Sequence, residues 1–403
     1  MLNTYNKALV YSCLILIIGL MSVDFISPSL PYIQVDFNTS QEVMKNTVLI
    51  YMLVLGIGQL PYGFLSDQYG RKPVILVSFL ISTAGIGLSA VSSTIETFYA
   101  ARIITAIGCA GCPVIARAII SDISKDATQL KKSFSIFSLT SQLSPSIAPI
   151  LGGGIQIITS WRISLSTLLL FNVACFVVLY KFMPETRHAA PHNMKTNKNI
   201  YSILKDHANL FTQRYFFIVS LLSALIYVYT IGFYNMLPFV LHSMHISVLV
   251  NGFINSFYAC SLATGAFVLH RYMYRYSSSK LFFKLAIIFT IYFLLSTLYF
   301  YYFKVPSGNV LLVSVIVWGC TIGFLCGIIA PLTLSMCMKG FSKNKGMASS
   351  IQSSIKMFFT GVGLLLFSQI NLVNMFQISL MFLILSMIIM LFWASIKNFA
   401  TED

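Results

Sequence analysis

Long apolar runs alternate along the chain with short polar breaks, and the runs share one length. Each lasts about twenty residues, the length a helix rising 1.5 Å per residue needs to cross a hydrocarbon core of about 30 Å. About twelve such runs are expected, at 8–30, 44–65, 73–91, 98–120, 133–157, 163–182, 216–236, 249–270, 281–302, 310–334, 347–370 and 375–396. The pattern predicts an all-α integral membrane protein. The longest polar stretch, 183–215, carries Pro184, Pro191 and three histidines, and it separates six runs from six. The expected organisation is therefore a six-helix bundle over 1–182, a cytoplasmic central loop over 183–215, and a second six-helix bundle over 216–403. A short surface helix is expected at 204–211. Two such halves fit repeats related by an axis along the membrane normal.

Composition narrows the function classes. With 57% hydrophobic and 9% charged residues, the 403-residue chain cannot hide its apolar surface in a water-soluble fold. Its net charge of +15 raises nucleic-acid binding, and the placement of the charges rejects it. Counted from a cytoplasmic N-terminus, 19 of the 26 Lys and Arg residues fall on cytoplasmic segments. Lys45, Arg162 and Lys304 fall outside, while Arg102, Arg117, Lys284 and Lys356 lie within runs or at their ends. This bias predicts that both termini are cytoplasmic. The expected partner is thus the lipid bilayer, with no nucleic acid.

Other signals are weak. Lys7 precedes the first run without a small-residue cleavage site, so an uncleaved first helix is expected. The eight cysteines lie in or at the ends of apolar runs, which argues against a disulfide framework. Cys109-Ala-Gly-Cys112 has redox spacing, but its apolar setting favours small-residue helix packing. His242 and His245 have a metal-ligand spacing without nearby acids or cysteines. No metal, cofactor or enzymatic activity is expected, because acids and histidines do not cluster within the runs.

The most informative stretch joins the second and third runs: Gly63-Phe-Leu-Ser-Asp67-Gln-Tyr-Gly70-Arg71-Lys72-Pro73. Glycine at both ends permits a sharp turn and close helix approach. Asp67 can cap a helix terminus, while Arg71 and Lys72 hold the loop at the cytoplasmic face. The equivalent loop of the second half, 271–280, keeps cations but lacks the Asp. The pattern G-x-L-x-D-x-x-G-R-K-P resembles the signature loop of the major facilitator superfamily of secondary transporters. That resemblance implies two six-helix bundles and alternating access. It also implies a gating role for Gly63, Asp67, Gly70, Arg71 and Lys72.

Polar groups inside the membrane are costly and mark a pathway. Of eleven acidic residues only Asp24 lies within a run, in Met21-Ser-Val-Asp24-Phe-Ile-Ser-Pro28-Ser-Leu-Pro31. Two readings fit it: a proton-carrying carboxylate in a helix loosened by two prolines, or a capping residue near the outer face. Arg102 opens the fourth run at a depth where an ion pair with Asp24 is geometrically possible. Its segment is similar to the superfamily motif R-x-x-Q-G-x-G, with Thr105 for Gln and Ala106 for the first Gly.

The fifth run carries Ser144-Pro145 and Ala148-Pro149-Ile-Leu-Gly152-Gly153, a bendable and closely packable element. Its A-P-x-x-G-G resembles the motif of drug:proton antiporters, which places Pro145, Pro149, Gly152 and Gly153 in an exchange element. With the D-x-x-x-P-x-x-P of the first run, the chain resembles the bicyclomycin and chloramphenicol resistance (Bcr/CflA) type.

In the eleventh run Ser349, Ser353, Lys356 and Thr360 form one polar stripe, with Gln352 beside it. Lys356 near the bilayer middle requires a watery cavity or an anionic partner. Tyr227, Tyr229, Phe233, Tyr234 and Asn235 in the seventh run suit a broad aromatic pocket, as do Asn255, Phe257 and Tyr258 in the eighth. They suit an interfacial aromatic belt equally. Lys356, Gln352, Tyr229, Phe233, Asn235, Asn255 and Tyr258 are the candidate cavity residues, and Asp24 with Arg102 the candidate proton-coupling pair.

The expected function is proton-coupled antiport exporting small organic molecules such as drugs across a bacterial inner membrane. Export of an anionic metabolite such as a siderophore is the alternative. Two turns before Asp24 stands Leu16 rather than a second acid, while Arg102, Lys356 and Arg117 are cationic.

Overall fold

Helix follows helix because each apolar run must satisfy its backbone internally where water is absent. The computed structural model describes residues 4–124, 127–187, 212–243, 246–272, 277–302, 309–338, 345–368 and 375–396. The expected surface helix at 204–211 and most of the expected central loop lie outside these residues, as does His245. Thirteen α-helices run through the described chain: α1 (Thr4–Asp24), α2 (Leu30–Asp36), α3 (Gln41–Tyr69), α4 (Arg71–Val91), α5 (Ile95–Ile123), α6 (Ala127–Ile158), α7 (Trp161–Phe182), α8 (Arg214–Ser243), α9 (Val248–Tyr272), α10 (Ser278–Tyr302), α11 (Asn309–Met338), α12 (Lys345–Ser368) and α13 (Met375–Ile396).

Among the described residues ten spans are long and apolar enough to cross a membrane, and α1 with α2 make one of them, Tyr5–Asp36. Helices α6 and α12, of 32 and 24 residues, also suffice in length. The chain is a multi-pass membrane protein. Its exposed apolar side chains, such as Leu80, Phe267, Leu295 and Leu391, form the surface expected against lipid.

Short polar caps set several boundaries. Ser40, Thr94 and Ser160 each accept a backbone N–H from the third residue onward, starting α3, α5 and α7. Gly70, at φ +100°, forms the tight joint between α3 and α4.

Helices α1 to α7 pack on one another, as do α8 to α13, and two seams join the halves: α3 against α12 and α6 against α9. Small residues allow both seams. A Cβ on Gly56 would stand 2.5 Å from the backbone of Phe358, and one on Gly361 would stand 2.8 Å from the Leu53 side chain. Gly252 lies equally close to the backbone of Pro149 and Ile150. Further contacts join the halves beside α2. Ser27 Oγ donates to the Tyr234 carbonyl at 2.5 Å, and Tyr32 meets His242 edge to face at 5.1 Å. The cleft left there, beside Pro28, Pro31, His242 and Asn251, measures about 10 Å³, little more than one water.

Candidate functional site

The first span does not merely bend at its prolines. It stops at Asp24, turns through a 3-10 segment at Ser27–Ser29, and resumes as α2 to Asp36. The expected outer end near residue 30 is therefore too early. Asp24 lies within the apolar span Tyr5–Asp36, twelve residues before its end.

The outer end is anchored instead by Asp36. Its carboxylate accepts from Trp161 Nε1 at 3.1 Å and from Arg162 Nη1 at 2.5 Å, beside an aromatic knot of Phe37, Phe98 and Trp161.

Helix α6 holds the break. Ser144 Oγ donates to Asp24 Oδ2 at 3.1 Å, and a Cβ on Gly152 would run into the carbonyl of Phe25, the residue after Asp24. The expected antiporter element thus touches the carboxylate through Ser144 and the backbone beside it through Gly152. Pro149 and Gly153 are buried in the same helix, and Pro145 follows Ser144 directly.

Arg102 is placed differently from expectation. Its Nη1 donates to the Ser22 carbonyl at 3.0 Å and its guanidinium lies 4.3 Å from the Tyr51 ring centroid. Among the described residues Arg102 and Asp24 form no ion pair. The guanidinium serves the end of α1 instead: the Ser22 carbonyl lies in the last turn of that helix, where the chain breaks, and accepts from it. Arg102 therefore reaches Asp24 only through the backbone end that carries it.

The aromatic wall also divides. Tyr229 packs within 5.1 Å of Phe289, Phe293 and Phe382 and donates to the Phe382 carbonyl at 3.1 Å. Phe233 stacks on Tyr258 at 4.6 Å, and the Tyr258 hydroxyl pairs with Thr230 Oγ1 at 3.0 Å. All three are fully buried, Tyr229 and Phe233 on α8 and Tyr258 on α9. Asn235 donates to the Ile231 carbonyl at 2.9 Å, a bond within α8. Asn255 is fully buried, and its amide has no hydrogen-bond partner among the described residues.

Gln352 donates to Ser223 Oγ at 3.1 Å, joining α12 to α8. Lys356 Nζ lies 4.5 Å from the Tyr227 ring centroid, a cation over an aromatic face. Tyr227 is thus the residue that the Lys356 ammonium meets. Its position in an aromatic-rich run was the only sequence signal for it.

At the joint of α3 and α4 the signature loop forms a network. Arg71 Nε bonds Asp122 Oδ2 at 2.8 Å, and its Nη1 reaches Asp67 Oδ1 at 2.5 Å and Ser66 Oγ at 2.8 Å. Glu185 accepts the first two backbone N–H groups of α4, from Arg71 at 2.9 Å and from Lys72 at 3.0 Å. A carboxylate at a helix N-terminus is stabilised by those unpaired donors and by the helix dipole. Burial works against the charge of Glu185, but hydrogen bonds from the backbones of Arg187, Arg71, Lys72 and Thr186 outweigh it. Its carboxyl is held below the ordinary value. A Cβ on Gly70 would meet this carboxylate at 2.5 Å, so glycine there serves both the turn and the cap. Gly63 contributes its carbonyl, which accepts from Ser66 Oγ at 3.0 Å. Asp122 and Glu185 lacked a sequence signal of their own.

Comparisons with known proteins agree with this architecture. A chloramphenicol resistance protein of Pseudomonas aeruginosa is 28% identical over 170 residues, 41% of this chain and 40% of that protein. Multidrug resistance protein D of Escherichia coli is 29% identical over 174 residues, 43% of this chain and 44% of that protein. The matches thus span less than half the length of these curated relatives. The crystal structure of a D-xylose-proton symporter superposes with a TM-score of 0.76 at 15% identity, covering 96% of this chain and 97% of the symporter. The model of the Major Facilitator Superfamily matches residues 12–364. With its signature loop folded into an ion-paired network beneath two packed helical halves, the chain belongs to the Major Facilitator Superfamily.

Proposed function

We propose that the chain is a proton-coupled antiporter exporting small organic molecules by alternating access. It acts as a monomer in a bacterial cytoplasmic membrane, with both termini inside. The observation that carries this reading is the setting of Asp24. It is the one acid within a membrane-spanning run, it is nearly buried, it stands where the first span breaks, and its carboxylate is held by Ser144 of the antiporter-like helix. A carboxylate at a breakable joint exchanges a proton with one side and then the other as the joint repacks. Drive to export follows when proton and substrate are optimally held in different conformations. Arg102 stabilises the α1 terminus that bears Asp24, and the Arg71 network holds the cytoplasmic ends of α3, α4 and α5 together. The resistance proteins among the relatives favour drug efflux, and their names lend no support to a siderophore.

The test uses inside-out vesicles carrying the protein and an imposed proton gradient, with chloramphenicol and aromatic acids as probes. Accumulation of at least one probe that collapses with a protonophore is expected. Accumulation indifferent to the gradient, or none for any probe, contradicts the reading.

A further inference from the structure

Two amides on α9 are buried without partners. Asn251 and Asn255 stand one turn apart on one face of the helix, and no atom of either amide has a hydrogen-bond partner among the described residues. That face points inward. Phe253 and Phe257, each two residues after an amide and so nearly opposite it, are 47% and 53% exposed. On one side of the amides Gly252 lies against the backbone of Pro149 and Ile150 in α6. On the other, Tyr258 packs on Phe233 and Tyr234 in α8. The same two helices grip the break in the first span, α6 through Gly152 against the Phe25 carbonyl and α8 through the Tyr234 carbonyl, which accepts from Ser27.

The amides are set at two depths. Asn251 lines the cleft beside Pro28, Pro31 and His242, whose volume suits one water. Successive spans alternate in direction, so α6 in the fifth span and α9 in the eighth run antiparallel. With Gly252 opposite Pro149 and Ile150, Asn255 comes level with about residues 146–147, within one turn of Ser144, whose hydroxyl holds Asp24. The Tyr234 hydroxyl, on the helix that Tyr258 packs against, is a third buried group without a hydrogen-bond partner among the described residues. A buried amide left unpaired is costly, and each of these offers donors and an acceptor but no charge. Water meets both demands, in a space too small for an organic substrate.

We infer that Asn251 and Asn255 hold a file of waters through which Asp24 takes its proton from the side of the membrane at which α2 ends, while the halves stay closed there to a substrate. The proton passes from a hydronium at the cleft, water to water, and ends on the carboxylate. The amides donate and accept hydrogen bonds and keep their own protons. The path rests on the reading of Asp24 as the proton carrier, and in the orientation proposed above it opens outside.

The experiment is a pH jump on the full-length protein in liposomes sorted by orientation with a terminal tag. Protonation of Asp24 is followed by its carbonyl infrared band, identified by its loss in Asp24→Asn, and no substrate is present. With the jump on the side at which α2 ends, Asn251→Leu and Asn255→Leu should each slow protonation by about tenfold or more. Asn255→Ser, which binds water again, should recover most of the rate. With the jump on the other side all variants should match wild type. The pH of half-protonation should not move, because a path sets the rate and not the equilibrium. If Asn255→Leu does not yield monodisperse protein, Asn251→Leu against Asn251→Ser carries the comparison. Wild-type rates in the leucine variants, slowing that is equal from both sides, or slowing that serine does not relieve would overturn the path. Loss of gradient-driven accumulation with this sided pattern intact would instead sink only the antiport reading.

Discussion

Arg71 and Asp122 are joined by two bonds, Nε to Oδ2 at 2.8 Å and Nη2 to Oδ1 at 3.4 Å, across 51 residues of sequence. The pair fastens the start of α4 to the end of α5. Asp67, the acid that marks the signature loop in sequence, is the more exposed partner: its side chain is 68% exposed against 19% for Asp122.

Exposure decides which acid matters more. Solvent screens the Asp67 pair and leaves it worth little, while loss of Asp122 strands a largely buried guanidinium. Asp122→Asn is therefore expected to lower the melting temperature by several degrees and to slow export of every substrate by a similar factor. Asp67→Asn should have the smaller thermal effect. A thermal-shift comparison of the two variants checks this order, and a larger loss at Asp67 would contradict it.

Glu185 makes the network sensitive to acid. Its carboxyl is held below its ordinary value of 4.5 by the backbone donors of α4 and its own loop, so its contribution is fully present above that value. The contribution disappears as pH falls through the lower folded value. Melting temperature measured against pH should show wild type above Glu185→Gln at neutral pH, with the gap narrowing in acid. A gap that stays constant or widens on acidification would refute the cap.

Gly152 meets the Phe25 carbonyl where a methyl group has no room. Gly152→Ala must push α6 away from the break or distort it, at an expected cost of about 1–3 kcal/mol. The accompanying loss of transport should exceed any loss of expression. Wild-type stability and turnover in this variant would show that the contact does not constrain the joint.

Sequence pattern revealed the parts of this molecule whose chemistry is local. Apolar runs of membrane length gave the helices, and fixed spacing of glycine, acid and cation gave the signature loop. The partners of that loop were hidden because the bonds are tertiary: Glu185 reaches Arg71 across 114 residues. The end of the first span was placed too early because Pro28 and Pro31 look like the end of a span, whereas Pro28 lies in the 3-10 turn and Pro31 in the first turn of α2, and the span runs on to Asp36. Tyr229, Phe233 and Tyr258 drew notice as aromatic side chains with polar tips, but the partners they pack against were not legible, because α8 and α9 are apolar on most sides and periodicity cannot then tell which face meets which helix. Arg102 was paired with Asp24 on depth alone, and depth does not fix the direction of a side chain.

The central claim is that Asp24 carries the coupling proton, and the most direct measurement is proton movement in proteoliposomes on addition of a compound that the wild-type protein exports. Asp24→Asn keeps the side-chain shape and an oxygen for Ser144 but cannot ionise. Wild-type vesicles should show a substrate-induced pH change, and Asp24→Asn vesicles should show none while the compound still binds. An undiminished pH change in the variant would contradict the account.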